Sequence, residues 1–145
     1  MTASRITPGL IGVLAALALA PALAGCGTQS GRLGTPDPTA ATAPVVLRGT
    51  SVGEVLATSR GMTLYVYDRD GFNRSQCTDA CARQFPPFAA TEGAQPAGDF
   101  ALARRADGSL QWTHRGRPLY TFSRDAAPGD VTGLGTGSDW RPARF

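Results

Sequence analysis

Cys77 and Cys81 carry the most reactive chemistry in this chain. A Cys-x-x-x-Cys pair can close a disulfide or, as thiolates, hold a soft metal such as copper. His114, the single histidine, could add an imidazole to such a site, and Met62 a thioether. Geometry limits the disulfide option. In a regular helix, positions i and i+4 place Cβ atoms about 5–6 Å apart, whereas a disulfide needs about 3.5–4.5 Å. A bridge therefore requires a distorted turn. Asp68, Asp70, Asp125 and Asp130 form the second group. Carboxylates in Gly-containing loops can ligate calcium, but Asp beside Gly is also ordinary turn chemistry, because Asp bonds its own backbone. Pairing of Asp70 and Asp125 with the preceding Arg69 and Arg124 would serve the fold. Tyr65, Tyr67, Trp112, Tyr120, Phe122 and Trp140 form the third group. They fit a shared aromatic core, with Tyr hydroxyls reaching backbone partners at its edge; stacking on a ring-bearing ligand is the alternative. His114 falls at a hairpin turn, where exposed polar residues are usual.

The elements that must position these residues come from a duplication. Residues 58–70 align with 113–125: Thr58, Arg60, Gly61, Leu64, Tyr65, Arg69 and Asp70 recur as Thr113, Arg115, Gly116, Leu119, Tyr120, Arg124 and Asp125. Tyr67 is answered by Phe122. An offset of 55 residues with two copies is too long and too few for a solenoid. Two related β units fit better. Val52–Thr58, the turn Ser59-Arg60-Gly61 and the strand Met62–Tyr67 make the first hairpin. Gln111–Thr113, the turn His114–Arg117 and Leu119–Phe122 make the second. Ala106-Asp107-Gly108-Ser109 is a tight-turn signal between Phe100–Arg104 and Leu110–Thr113. The expected fold class is all-β: a small antiparallel meander of two pseudo-repeated hairpin units, about 52–88 and 100–140. One short helical or irregular turn surrounds Cys77 and Cys81.

The first 25 residues form a leader. Arg5 precedes an apolar run from Leu10 to Ala24, and Leu23-Ala24-Gly25-Cys26 closes it. A small residue before cysteine looks like a bacterial lipoprotein cleavage site, after which Cys26 becomes a lipidated N-terminus. Fifteen helical residues reach about 22 Å, short of the roughly 30 Å hydrocarbon core, so a transmembrane span fits poorly. Diacylglyceryl-cysteine supplies the two chains that stable anchoring needs. Residues 26–44 are rich in Gly, Thr, Pro, Ala and Ser and read as a disordered tether. The β domain then spans 45–145. With Cys26 lipidated, Cys77 and Cys81 remain as a pair, and an oxidising compartment favours their disulfide.

All 14 basic residues are Arg. Removing Arg5 with the leader leaves 13 Arg against 11 acidic residues, interspersed rather than in blocks, which gives nucleic-acid binding little support. Nothing matches a P-loop, a nucleophile elbow or a zinc signature.

The pattern Tyr-x-aromatic-x-x-Asp occurs twice, at Tyr65, Tyr67, Asp70 and at Tyr120, Phe122, Asp125. The first copy is followed by Cys77-x-x-x-Cys81 and Phe85-Pro86-Pro87, the second by Pro128-Gly129-Asp130 and Trp140. This combination resembles the family of bacterial lipoproteins known as the "secreted repeat of unknown function", marked by a Yx(F/W/Y)xxD motif. The resemblance covers about Val52 to Trp140. Phe85 stands where relatives are expected to have Trp. What it implies is an extracytoplasmic location with no established activity.

The combined expectation is a lipid-anchored, monomeric envelope protein on the extracytoplasmic face of a cell membrane or outer membrane. Its role is binding or interaction without catalysis or a required cofactor. Its partners are the membrane through the anchor and an envelope protein or small ligand. Redox or copper handling through Cys77 and Cys81 is the rival reading.

Overall fold

The computed structural model describes residues 43–145. The leader, Cys26 and the tether up to residue 42 lie outside the described residues. Among the described residues, seven short strands and one short helix form, in an all-β fold. β1 (Val45–Thr50) and β2 (Gly53–Thr58) pair as an antiparallel hairpin. β4 (Phe100–Arg104), β5 (Leu110–His114) and β6 (Arg117–Pro118) form a second, three-stranded antiparallel sheet. β3 (Tyr65–Tyr67) pairs with β7 (Trp140–Pro142). The helix α1 (Asp79–Gln84) lies between β3 and β4. Among the described residues no helix is long and apolar enough to cross a membrane.

Local chemistry explains both hairpin turns. Arg115 and Gly116, at φ +49° and +76°, make the two-residue turn that joins β5 to β6, the geometry that matches strand twist. In the first copy the Thr58 N–H bonds the Met62 carbonyl at 2.9 Å, and Gly61 at φ +82° closes a three-residue loop. The duplicated Arg-Gly thus turns the chain twice, with one residue more in the first loop. Between β4 and β5 the Asp107 carboxylate accepts from the Ser109 N–H and hydroxyl at 2.9 and 2.6 Å, which fixes the turn expected at 106–109.

The two units do not close on themselves. Tyr65 and Tyr120, equivalent by the repeat, exchange both backbone hydrogen bonds: 2.7 Å from the Tyr65 N–H and 2.9 Å from the Tyr120 N–H. A local pseudo-dyad therefore runs between them. Beyond this pair each unit donates its last segment to the other. β7 from the second unit pairs with β3 of the first, placing Tyr65 opposite Pro142. Correspondingly, Pro87 of the first unit bridges Tyr120 of the second. Equivalent bonds repeat the relation: Ala143 N–H to the Leu64 carbonyl at 2.7 Å, and Phe88 N–H to the Leu119 carbonyl at 2.8 Å. Asp68 N–H to Asp139 and Ser123 N–H to Gln84, at 2.8 and 3.0 Å, form another such pair. The meander of hairpins expected from the sequence is present, and this exchange holds its two units together.

Burial follows the same plan. Leu56, Leu64, Val66, Ala94, Trp112, Leu119 and Ala143 form one core cluster. Tyr65, Cys77, Phe85, Tyr120, Phe122 and Trp140 form a second, on the pseudo-dyad. Phe85 and Trp140, another equivalent pair, stack with centroids 3.6 Å apart and planes 4° apart. Tyr67 stacks on Trp140 at 4.5 Å. The single shared aromatic core expected from the sequence is thus divided, because Trp112 joins the aliphatic cluster instead.

Candidate functional site

The two Tyr-x-aromatic-x-x-Asp copies are joined crosswise. Tyr65 donates its hydroxyl hydrogen to Asp125 Oδ2 at 2.8 Å, and Tyr120 donates to Asp70 Oδ2 at 2.7 Å. Each tyrosine thus reaches the aspartate of the other copy. The same turn presents both carboxylates: the Asp70 N–H bonds the Tyr67 carbonyl and the Asp125 N–H bonds the Phe122 carbonyl, each at 3.2 Å. The remaining carboxylate oxygens are also occupied. Asp125 Oδ1 accepts from the Thr132 N–H at 3.0 Å and the Thr132 hydroxyl at 2.6 Å. Asp70 Oδ1 accepts from the Gln76 N–H at 2.7 Å.

Electrostatics keep these latches in the donor–acceptor state. Burial raises the Tyr65 hydroxyl far above the ordinary phenol range, and its bond to Asp125 adds to that, while the Gly133 N–H opposes. Burial likewise raises Tyr120; its contact with Ser75 opposes this, whereas its bond to Asp70 reinforces it. Both phenols stay protonated and donate. Burial also raises Asp70, against the stabilising donors Gln76 N–H and Tyr120 hydroxyl and the charges of Arg105 and Arg117. Gly133 approaches the Tyr65 ring so closely that a Cβ there would lie 2.7 Å from Cε1, so a side chain at 133 would push the latch apart.

These contacts correct two expectations. The hydroxyls of Tyr65 and Tyr120 reach carboxylates, not only backbone. Asp70 and Asp125 pair with tyrosines, whereas Arg69 makes a surface pair with Asp139 at 2.7 Å and Arg124 lies over the Phe122 ring at 5.1 Å. A buried carboxylate is satisfied as well by hydroxyl and N–H donors as by a guanidinium, and the crossing places a hydroxyl there.

Cys77 and Cys81 form a disulfide, with Cα atoms 5.2 Å apart. The required distortion lies at the helix start. Cys77 precedes α1, Thr78 is extended, and Asp79 adopts φ +50°, so the bridge joins a pre-helical residue to the first turn. Arg105 fastens this loop to the second unit through the Cys77 carbonyl at 2.8 Å, Ser75 Oγ at 2.8 Å and Gln111 Oε1 at 2.7 Å. Ser75 in turn contacts the Tyr120 hydroxyl at 2.8 Å, so loop and latch form one network. Replacing both cysteines with Ser is expected to lower unfolding free energy by about 2 kcal/mol, the chain-entropy value for a five-residue loop. Urea unfolding of wild type with and without reductant checks this; a reductant-insensitive midpoint would contradict it.

The four candidate aspartates sit in separate networks. Asp130 Oδ2 accepts from the N–H groups of Ala126 and Ala127, both at 2.8 Å, and Asp68 Oδ1 accepts from Arg117 and Arg141. Among the described residues no three His, Cys, Asp or Glu side chains gather as a metal shell. The Met62 carbonyl closes the first hairpin, and Met62 lines a depression with Thr58, Phe88 and Phe122.

His114 departs from expectation. It ends β5, but it is buried at 4% exposure, because Phe100 and Phe145 cover its ring at 4.9 and 5.3 Å. Its Nε2 is buried without a hydrogen-bond partner. Burial lowers its pKa below the usual imidazole range, the charge of Arg115 adds to this, and Asp99 partly opposes it. The sign follows: the folded state favours neutral imidazole, so this contribution to stability is present above about pH 6.5 and is lost as pH falls through the depressed folded value. His114→Gln is expected to flatten that part of the acid limb in a pH series of melting temperatures. An unchanged acid limb would contradict the assignment.

His114 also lines a groove of about 580 Å³ that the candidate residues did not reveal. Arg115 comes from the β5–β6 turn and Arg117 from the start of β6, and Arg141 and Arg144 from β7 and the residues after it. Val52, Val66, Leu134 and Pro142 supply apolar wall. Neither cysteine takes part. The exchange of β7 into the first unit brings these arginines together, and dispersed in sequence they read only as interspersed charge. The available signal was the pair Arg115 and Arg117 flanking the duplicated turn glycine.

No curated protein matches this chain, and no solved structure matches it. A family model does match, twice, over residues 47–89 and 101–144, one match on each unit and together more than half of the chain. The duplicated architecture and this double match agree: the chain belongs to the family described as "Secreted repeat of unknown function".

Proposed function

We propose that this protein is a lipid-anchored, monomeric binding domain at the extracytoplasmic face of the envelope, without catalysis of its own. The observation that carries the reading is the crosswise latch. Tyr65, Tyr120, Asp70 and Asp125 are occupied in joining the two units, and Cys77 and Cys81 are tied up in a disulfide within the first. What remains open is a groove with a cationic rim, a form suited to binding. Membership of a secreted family and a disulfide fit an oxidising, extracytoplasmic setting. The leader ending in Leu23-Ala24-Gly25-Cys26, followed by a Gly-, Pro- and Thr-rich stretch, supports a lipid anchor on a tether.

The test is metabolic labelling with a clickable palmitate, membrane fractionation and crosslinking in the native envelope. Wild type is expected to take up label and stay with membranes, and Cys26→Ala to lose the label. An unlabelled wild type, or a Cys26→Ala protein still processed and membrane-held, would overturn the anchor. Crosslinking that captures neither a protein nor a small ligand would overturn the binding role.

A further inference from the structure

We infer that the arginine-rimmed groove is a binding site for a small amphiphilic anion: a terminal phosphate or carboxylate on an apolar body. The inference rests on the binding reading above and names the ligand class. Charge comes first. Four guanidinium groups line the groove, and two carboxylates neutralise part of them. Asp99 contacts Arg115 at 2.9 Å, and a single oxygen of Asp68 is shared by Arg117 at 2.7 Å and Arg141 at 2.8 Å. Arg144 donates to the Val52 carbonyl. Counting these groups alone, a surplus of two positive charges remains. Guanidinium presents five donors in a planar fork that matches carboxylate and phosphate oxygens.

Unmet hydrogen-bonding capacity comes second. Arg117 Nε and His114 Nε2 are buried and make no hydrogen bond among the described residues, and His114 Nε2 lies 4.0 Å from Asp99 Oδ2. His114 is almost wholly buried in the groove's wall. Buried polar groups without hydrogen bonds are rare and costly, and two of them belong to residues of adjoining strands that line this groove. The wall's composition comes third. Val52, Val66, Leu134, Pro142 and Ala143 give the groove an apolar side, and Leu134 is 40% exposed there. A bare inorganic anion has no use for such a wall. An organic anion of modest size uses both, with head on the arginines and body on the valines and leucine. The volume lies within the about 300–1,000 Å³ typical of small-molecule sites.

The experiment is ¹⁵N NMR of arginine Nε and histidine resonances on the full mature chain held in phosphatidylcholine nanodiscs. It is titrated separately with hexyl phosphate, hexanoate, hexanol and inorganic phosphate. Hexyl phosphate or hexanoate is expected to shift Arg117, Arg141 and His114, and whichever of the two binds more tightly identifies the head group. Arg115→Gln and Arg141→Gln, both at exposed positions, are each expected to weaken binding about tenfold. Amide spectra of these variants show directly whether the fold is kept, and Arg141→Lys should recover part of the affinity. Hexanol binding as tightly as the anions, inorganic phosphate matching hexyl phosphate, or arginine variants with full affinity would each overturn the assignment. If no probe binds while envelope crosslinking still captures a partner, this inference fails and the binding reading stands. If crosslinking captures nothing, the binding reading itself fails.

Discussion

Asp125→Ala is expected to lower unfolding free energy by about 3 kcal/mol, among the largest effects of any single substitution outside the aliphatic core. Three donors lose their acceptor together: the Tyr65 hydroxyl and the N–H and hydroxyl of Thr132. Tyr65 is fully buried and Asp125 is 8% exposed, so water does not readily replace the lost bonds. Leaving one buried donor unsatisfied costs about 1–3 kcal/mol. Asp125→Asn should cost roughly half as much, because its amide oxygen still accepts from Thr132 while its NH₂ cannot accept from Tyr65. Asp70→Ala should cost less than Asp125→Ala, because its carboxylate accepts two hydrogen bonds against three and its position is more open to solvent. Urea unfolding monitored by Trp fluorescence measures all three. An Asp125→Ala protein within about 0.5 kcal/mol of wild type, the range of ordinary surface substitutions, would contradict the role given to the latch.

Cutting the chain between Gln95 and Pro96 should leave two fragments, 43–95 and 96–145, that do not fold separately and that restore the native spectrum when mixed. The reason is the exchange. Alone, the first fragment loses β7 from β3, the Tyr120 backbone partner of Tyr65 and the Trp140 face that stacks on Phe85. It also loses Asp125 from Tyr65. The second loses the corresponding set: Pro87 from Tyr120, the Gln84 acceptor of Ser123 and the Asp70 acceptor of Tyr120. Fragments this short have little core to lose before folding fails. Circular dichroism and near-ultraviolet spectra of each fragment and of the equimolar mixture read the outcome. A fragment that unfolds cooperatively as a monomer would show that the units are self-sufficient and the exchange ornamental.

Local chemistry made much of this fold legible in advance. The 106–109 turn, the two Arg-Gly turns and the Cys77–Cys81 loop each depend on residues within a few positions of one another. The repeat identified equivalent residues such as Tyr65 and Tyr120. It could not say whether the Tyr of one copy meets the Asp of its own copy or of the other, because an alignment assigns equivalence and not contact. That choice is made by tertiary pairing of β3 with β7, over about 75 residues of chain. The same long-range step hid the groove, since Arg115 and Arg117 meet Arg141 and Arg144 only after β7 crosses. His114 read as exposed from its place beside a turn, but Phe100 and Phe145 close over it, and neither is its sequence neighbour.

The central claim is that the duplicated Tyr-x-aromatic-x-x-Asp motif works across the two units as a pair of reciprocal latches. Double-mutant cycles in urea unfolding test it most directly. Tyr65→Phe combined with Asp125→Ala should show a coupling of about 1–3 kcal/mol, because the two residues share one buried bond. Tyr65→Phe combined with Asp70→Ala, its partner in the motif but not in space, should be additive within about 0.5 kcal/mol. Strong coupling of Tyr65 to Asp70, with none to Asp125, would contradict the crosswise arrangement.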